Sequence, residues 1–574
     1  MRKPEACKGC PFFDDGEGFV PDEIYPGARL TFIAQNPGET EETLKRPMIG
    51  RTGQLIMGDI GRYGFDRKDC SWMNVIKCRC RDETGKKGNK LPVDARTDKA
   101  ADWCIREHMK VPESNVYALL GDVALQYMTG ITGIDSWRGS VWVQAQGLLA
   151  GKKVMALIHP AAIFRDLSWR AAHKQDFARL AREAHTLSPS VQYNDLFYTG
   201  VSADEFINFI SSSKGVLALD VETSYAKPID ATLKVIGVAS SREVAANYTY
   251  RRDDGDDRRV CDALSAYNGQ YVTATPFDYI VLKKEGVTFQ WENCHDLTLL
   301  HSRFDIELPH TLEYIASMFT NRPFWKWMAP TDLLRYNCLD CVGEYESFER
   351  LAEYCRFKDP QVWNVYERDR LLIPVVVDLH LNGFPTSLEL IKEEREWYAK
   401  RLKEKREELM EVFKPKVMDK PAPCEKHPRY TGKTPVKMRK GEEVLCHVCQ
   451  GIADWCYGSR PVNLNSRKQL MEILKGEGME MLKDRETKKE SLAKGKVADL
   501  FKKYSDPKLL KLLSFWEDAT VISRYFKDAW VSKRTGRIHP QYAMHAAKHR
   551  WSCSKPNCQQ LKKPEREVID VPDK

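Results

Sequence analysis

The chain has little that would anchor it in a membrane or send it out of a cell. Among its 574 residues the longest apolar run, Leu371 to Val377, is seven residues and includes a proline, far short of the ~18 that span a bilayer. The opening MRKPEACKGC has no apolar signal core, so export is not expected and a cytoplasmic location is. Tandem repeats and long low-complexity tracts are missing too, which leaves solenoids aside. There is little excess charge of one sign: 89 Lys and Arg against 81 Asp and Glu, a net +8. That balance permits nucleic-acid binding without demanding it. With 42% hydrophobic and 30% charged residues the chain is neither disordered nor a membrane protein. Its length allows about three to five domains.

Cysteine, by contrast, is plentiful. Seventeen cysteines in a reducing compartment are better read as metal ligands or core residues than as disulfides.

Four stretches follow along the chain. Up to about residue 190, apolar runs alternate with helical patterns: RLTFIAQ, SWMNVIK, NVYALLG and KVMALIH, each followed by breakers. That alternation predicts a parallel α/β sheet. After a polar break, GVLALDVETS (215–224) reads as a strand ending in two carboxylates, with KVIGVASS (234–241) as its hairpin partner. Helical patterns run on to residue 413, and the charge run WYAKRLKEKREELMEVF (397–413) reads as a solvated helix face. Residues 417–458 are broken by Pro and Gly, helices resume from Ser466, and a polar segment closes the chain.

Cys7 and Cys10 form a CxxC; Cys78 follows a strand and Cys104 lies in a helical pattern. Four thiolates can hold an iron–sulfur cluster or a zinc ion. Around them AQNPGETEE, RPMIGRTGQLI, NVIKC, YALLGDVAL and ALIHPAAIFR occur in order. Together these motifs resemble the iron–sulfur (family 4-like) uracil-DNA glycosylases over nearly all of residues 1–185. The resemblance implies a 4Fe–4S cluster on Cys7, Cys10, Cys78 and Cys104. It also implies a pocket for a flipped uracil, whose departing oxyanion must be stabilised. There Asn74 would read the base edge, His159 would donate to the uracil oxygen, and Asn36 or Gln35 would position the attacking water. Gln35 stands where the family usually has an acid, and Met48 where it has an aromatic stacker; the alternative is a degenerate domain kept for binding.

Asp220 and Glu222, at i and i+2, share one face of a strand, and two carboxylates there suit Mg²⁺ or Mn²⁺. FDYIVL brings Asp278; YNCLDCVGEYE brings Tyr336 and Asp340, which at i and i+4 share a helix face. The set resembles the tyrosine-type DEDD 3′–5′ exonucleases over about 200–355, with an RNase H-like fold. It implies that Asp220, Glu222, Asp278 and Asp340 hold two cations, Mg²⁺ or Mn²⁺, while Tyr336 orients the attacking water. Ala274 replaces an assisting Asn of that family. The reading requires the four carboxyl groups to converge without being buried against cations supplied by the chain itself.

Cys424-x2-His427 and Cys446-x2-Cys449, 18 residues apart, fit a tetrahedral Zn²⁺ in an inserted ribbon that metal would fold; Cys456 is a possible substitute ligand. Finally RDRLLIPVVVDLHLNGFPTS, VNLNSRKQLMEIL, SFWEDATVISRYF, GRIHPQY and RWSCSKPNCQQL resemble, in order, family A DNA polymerases from exonuclease through thumb to the start of the palm. Trp551 and Cys558 replace leucines of that last motif. Arg550, Ser552 and Asn557 would then lie near the primer–template backbone, and basic loops would grip phosphates. Asp570 and Asp573 sit in no matching motif, so polymerase activity is not expected of this chain alone.

The expected architecture is multidomain α/β. Residues 1–190 form a glycosylase-like parallel α/β sandwich and 195–356 an exonuclease domain. Residues 357–550 form a helical thumb with a zinc ribbon at about 420–458, and 551–574 begin a truncated palm. The expected function is a bacteriophage-type replication component, supplying 3′–5′ proofreading, DNA grip and a uracil-scanning domain. Palm and fingers would reside on a second polypeptide. The alternatives are a non-catalytic DNA-binding and assembly subunit, or a stand-alone repair exonuclease/glycosylase.

Overall fold

The computed structural model describes residues 3–14, 18–79, 95–224, 227–252, 255–413, 444–445, 452–453, 462–483, 490–524, 527–546 and 550–560. Two compact units emerge. The first comprises Met1–Asn382 with Tyr542–Ser552; the second comprises Gly383–Gln541 with Cys553–Lys574.

The first unit holds two large sheets. β1 (Leu30–Ala34), β2 (Cys70–Asn74), β3 (Val116–Leu120), β4 (Val141–Val143) and β5 (Lys153–Leu157) line up in the order β2-β1-β3-β5-β4. All pairings are parallel except that of edge strand β4 with β5. β1, β2, β3 and β5 are buried at every residue. A sheet covered on both faces needs such unbroken apolar runs, and separate hydrophobic clusters line its two faces.

The second sheet contains β6 (Leu196–Tyr198), β7 (Val216–Thr223), β8 (Leu233–Ala239), β9 (Val244–Thr249), β10 (Gln270–Thr273) and β11 (Cys294–Asp296), in the order β11-β10-β7-β8-β9-β6. β7, β8 and β9 are antiparallel neighbours, and the other pairings are parallel. The expected β7–β8 hairpin is present, with Asp220 opposite Gly237 and an irregularity between Glu222 and Thr223. The helix Leu333–Lys358 packs across this sheet and buries Cys338, Cys341, Val342, Phe348 and Leu351.

The sheets are riveted by buried cations. Arg138 and Arg179 are each 1% exposed and flank Asp176, itself 1% exposed. Arg138 Nη1 donates to Ser317 Oγ at 2.8 Å, and Arg179 Nη2 to the carbonyls of Ser317 and Thr320 at 3.0 and 2.5 Å. Those carbonyls end the helix Leu312–Phe319, where the dipole favours positive charge.

One boundary moves. The helices Pro360–Arg370 and Ile373–Asn382, placed with the thumb from sequence, belong to the first unit. Tyr366, Ile373, Val376 and Val377 are fully buried in the core of the second sheet, so the break comes at Gly383 and not near 357. Tyr542–Ser552 also returns to the first unit.

The second unit is helical. Leu388–Val412, Arg467–Gly476, Lys494–Tyr504 and Pro507–Arg524 surround a core that includes Leu409, Leu470, Leu474, Leu500, Leu512 and Trp516. Cys424, His427, Cys446 and Cys449, the proposed zinc ligands, lie outside the described residues, as do Cys456, Asp570 and Asp573. No helix among the described residues is long and apolar enough to cross a membrane.

Candidate functional sites at the strand ends of two sheets

Toward the carboxyl end of β7, an interior strand of the second sheet, lie Asp220 and Glu222, and Asp340 comes from the helix Leu333–Lys358. Carboxylate oxygens of these three lie within 4.8 Å of one another. Hard oxygen donors this close fit a divalent cation. Burial, then repulsion from Asp340, Asp278 and Glu222, drives the Asp220 carboxyl far above its usual range. Burial and then Asp340 push Glu222 up to about 7. Carboxyl groups crowded this way hold their protons until a cation replaces them.

Asp220 and Asp278 are braced. Asn337 Nδ2 donates to Asp220 Oδ2 at 2.7 Å, while Asn337 Oδ1 accepts from Asn247 Nδ2 at 3.3 Å. The side chain has this room because β8 has no side chain at Gly237. A Cβ there would lie 2.1 Å from Asn337 Oδ1. Asp278, in the first turn of the helix Phe277–Lys284, is 4% exposed, and its Oδ1 accepts the Val221 amide at 3.1 Å. It stands outside the set of three, so the four-carboxylate convergence is met by three members.

The requirement that no cation of the chain be present is not met either. Lys326 Nζ donates to Asp340 Oδ2 at 2.6 Å and Oδ1 at 2.8 Å, and to the Tyr336 hydroxyl at 2.9 Å. Trp325 Nε1 adds a 2.6 Å bond to Asp340 Oδ1. Sequence reasoning missed this lysine because it arrives on a strap and not on the motif-bearing helix. It also missed Glu344, fully buried, whose Oε1 accepts the Ala274 amide at 3.1 Å while Oε2 has no partner. Glu344 follows Asp340 by one helical turn, and that spacing could have exposed it.

At the first sheet the candidates lie where parallel strands end, the usual ligand crevice of such sheets. Gln35 and Asn36 follow β1, Asn74 ends β2 and His159 follows β5. β1 and β2 are in register at Ala34 and Asn74. Asn74 is 2% exposed, and its carbonyl accepts from Lys77 Nζ at 2.5 Å. Lys77, 1% exposed, also pairs with both Asp22 oxygens at 2.6 and 2.7 Å. This buried pair fixes the backbone carrying Asn74. Asn36 Nδ2 donates to the Pro37 carbonyl at 3.1 Å. Met48 is 4% exposed with φ +47°, and Arg67 holds its loop by bonds to the Pro47 and Met48 carbonyls at 2.7 and 3.1 Å. Burial, helped by Arg165, pushes the His159 imidazole down to about 4. Its Nδ1 accepts the Ala161 amide at 3.3 Å, so the neutral ring carries its proton on Nε2.

Cys7, Cys78 and Cys104 are buried and Cys10 half-buried. Burial raises the Cys7, Cys10 and Cys104 thiols, Cys104 to about 12, and each feels Cys78. A tetrahedral zinc with ~2.3 Å bonds would need sulfurs about 3.8 Å apart. No three of these thiols lie mutually within 4.8 Å, since the carboxylate trio is the only such group among the described residues. His108, one turn after Cys104, sits with Nε2 3.2 Å from Cys7 Sγ, a neighbour that sequence reasoning passed over.

Residues 21–183 match the uracil DNA glycosylase superfamily. The type-4 uracil-DNA glycosylase of Archaeoglobus fulgidus is 25% identical over 197 residues, 33% of this chain and 94% of the relative. That of Thermotoga maritima is 26% identical over 171 residues, 29% of this chain and 82% of its own. The DNA polymerase of Bacillus phage SP01 is 22% identical over 211 residues, 35% of this chain but 21% of that polymerase. Among solved structures, the POL domain of Pol1 from M. smegmatis with DNA primer-template and dNTP has a TM-score of 0.48 at 15% identity, covering 65% of this chain and 57% of its own. That last likeness is too loose to carry a conclusion. The resemblance to a fusion of a uracil-DNA glycosylase with a DNA polymerase is supported by the other matches.

On Arg550–Ser554, Arg550 and Ser552 are exposed while Trp551 packs against the core of the second sheet. Asn557 is half-buried, its Oδ1 without a partner.

Proposed function

We propose that the chain is a DNA-editing component of a replication polymerase, trimming 3′ ends at the second sheet and sensing uracil at the first. The observation carrying the exonuclease reading is the convergence of Asp220, Glu222 and Asp340 within 4.8 Å. A divalent cation, Mg²⁺ or Mn²⁺, held by these three would supply Lewis acidity toward a phosphodiester and an acidified water. Asn337 keeps Asp220 aimed at that position, and the Tyr336 hydroxyl is held by Lys326 where it can orient a water. The test is release of label from a 3′-labelled single strand with Mn²⁺. Digestion by the wild type that vanishes in Asp220→Ala supports the reading. No digestion, or equal digestion by the variant, refutes it.

At the first sheet, Asn74 would pair with the edge of a flipped uracil and neutral His159 would donate from Nε2 to its oxygen. Asn36 or Gln35 would position water, with Met48 covering the base. Cys7, Cys10, Cys78 and Cys104 would hold a 4Fe–4S cluster, a structural and electronic support that the reading leaves outside the base chemistry. Abasic-site formation in a uracil-containing oligonucleotide tests excision; uracil binding without product leaves a sensor. The reading extends to a zinc ribbon and to a second polypeptide bearing palm and fingers, with Arg550, Ser552 and Asn557 near the primer–template. Co-purification with such a partner checks the assembly.

One observation favours a non-catalytic assembly subunit instead: Lys326 already neutralises Asp340. The digestion assay separates the two.

A further inference from the structure

The strap from Thr320 to Ala329 joins the helix Leu312–Phe319 to the stretch before Leu333, and it is fastened along both sides. On the glycosylase-like side, Arg179 takes the Thr320 carbonyl, and Ser140 Oγ accepts the Phe324 amide at 2.9 Å. The Phe324 ring stands edge-on to Trp137, centroids 5.4 Å apart. Near β6, Arg322 pairs with both Asp195 oxygens at 3.0 and 2.8 Å, and its guanidinium lies 3.9 Å from the Tyr193 ring. On the exonuclease-like side, Trp325 is 5% exposed and lies over Gly343, where a Cβ would meet its ring at 2.9 Å. Lys326 is therefore not a loose surface lysine that has fallen onto an acid. Its backbone is fixed on both flanks, and Nζ is aimed at both oxygens of a carboxylate whose side chain is 5% exposed.

Asp340 has few acceptor positions left. Oδ1 already takes Trp325 Nε1 and Lys326 Nζ, and Oδ2 takes Lys326 Nζ again. A carboxylate offers about four lone-pair sites, so three of them are engaged. Asp278 has turned Oδ1 to the Val221 amide. With most of the Asp340 positions and Asp278 Oδ1 already taken, these two carboxylates keep few acceptors for a second divalent cation.

We propose that Lys326 is a resident cation of the carboxylate centre, standing where a second divalent ion would otherwise bind, so that the site takes a single metal ion beside a fixed ammonium. The inference rests on the exonuclease reading and deepens it. The phosphodiester would then meet one exchangeable and one permanent positive charge. Lys326 would be a positioning residue for Asp340 and Tyr336, and a counter-charge for the bound strand.

The test counts ions, not turnover. Mn²⁺ is titrated into the full chain and free Mn²⁺ is read by electron paramagnetic resonance. Sites at this centre are defined as those lost in Asp220→Ala. One such site in the wild type, two in Lys326→Gln and one in Lys326→Arg is the expected result. Two sites in the wild type overturn the inference and leave the exonuclease reading standing. One site in both wild type and Lys326→Gln also overturns it. No site in either overturns the inference and the cation-dependent reading together. The wild-type count decides by itself should Lys326→Gln fail to fold.

Discussion

Two candidate sites at the strand ends of two sheets in one chain solve opposite electrostatic problems. At the first sheet the candidate groups Gln35, Asn36, Asn74 and His159 are neutral, and a charged pair is buried beside Asn74. Lys77 and Asp22 are sealed under Asn74, and His159 is held unprotonated by burial. At the second sheet the groups are themselves acids, with Asp220 and Glu222 raised by burial and by Asp340, and Lys326 bound to Asp340. A neutral site can be organised in advance by backbone and buried pairs. A site of like charges stays under-compensated until a cation joins it, and the chain supplies only part of that charge.

Removing the two lysines should expose this difference most strongly. Lys77→Met leaves Asp22 buried without its partner, and breaking a buried pair costs about 3–5 kcal/mol. Urea denaturation should show a large loss, concentrated in the glycosylase-like sheet, that millimolar Mn²⁺ does not restore. Lys326→Met should also destabilise metal-free protein, but here Mn²⁺ should recover most of the loss because an ion can take over the neutralisation of Asp340. Equal rescue of both variants, or of neither, would erase the distinction between a structural and a site cation.

Much of this arrangement could be read from the chain. Apolar runs interleaved with helical patterns gave the parallel sheet, and the i, i+2 and i, i+4 spacings put Asp220 with Glu222 and Tyr336 with Asp340 on shared faces. Those inferences concern residues on one element, where period fixes direction. Lys326 was hidden because its position depends on a strap fastened to another sheet. Lys77 was hidden because a lysine after a strand looks solvated until its partner, 55 residues earlier, is seen. The break at Gly383 was hidden because helices packed on a sheet and helices of a separate bundle share one hydrophobic period. Glu344 and His108 lie one turn beyond Asp340 and Cys104 and were legible on that spacing.

Acidity should separate the crevices next. His159, held down to about 4, stays neutral from pH 8 to 5, and the protein's affinity for uracil-containing DNA should change by less than about twofold through that group. The folded-state value lies below the ordinary 6.5, so the unfolded chain binds the extra proton first. Stability from this histidine is complete above about pH 6.5 and lost as pH falls toward 4. The second crevice runs the other way. Glu222, raised to about 7 by burial and Asp340, must shed its proton before it can ligate, so Mn²⁺ affinity should climb about fivefold from pH 6 to 7 and level off above about pH 8. Flat Mn²⁺ binding over that range would contradict the crowding described here.

The smallest effect is the most local. Ser140 Oγ, 3% exposed as a residue, accepts the Phe324 amide two residues before Lys326. Ser140→Ala removes one neutral acceptor, about 1 kcal/mol, too little to unfold a unit with its own large core. It should appear instead as local opening, with amide hydrogen exchange of residues 321–328 faster by about fivefold and the strands of both sheets unchanged. A strap loosened on its glycosylase-like side should let Nζ leave Asp340 more often, so the Mn²⁺ affinity of the second crevice should shift although the substitution lies on the first sheet's side. If exchange accelerates while Mn²⁺ affinity stays fixed, Trp325 and Gly343 alone hold Lys326 in place, and the two crevices share a chain without sharing a mechanical connection.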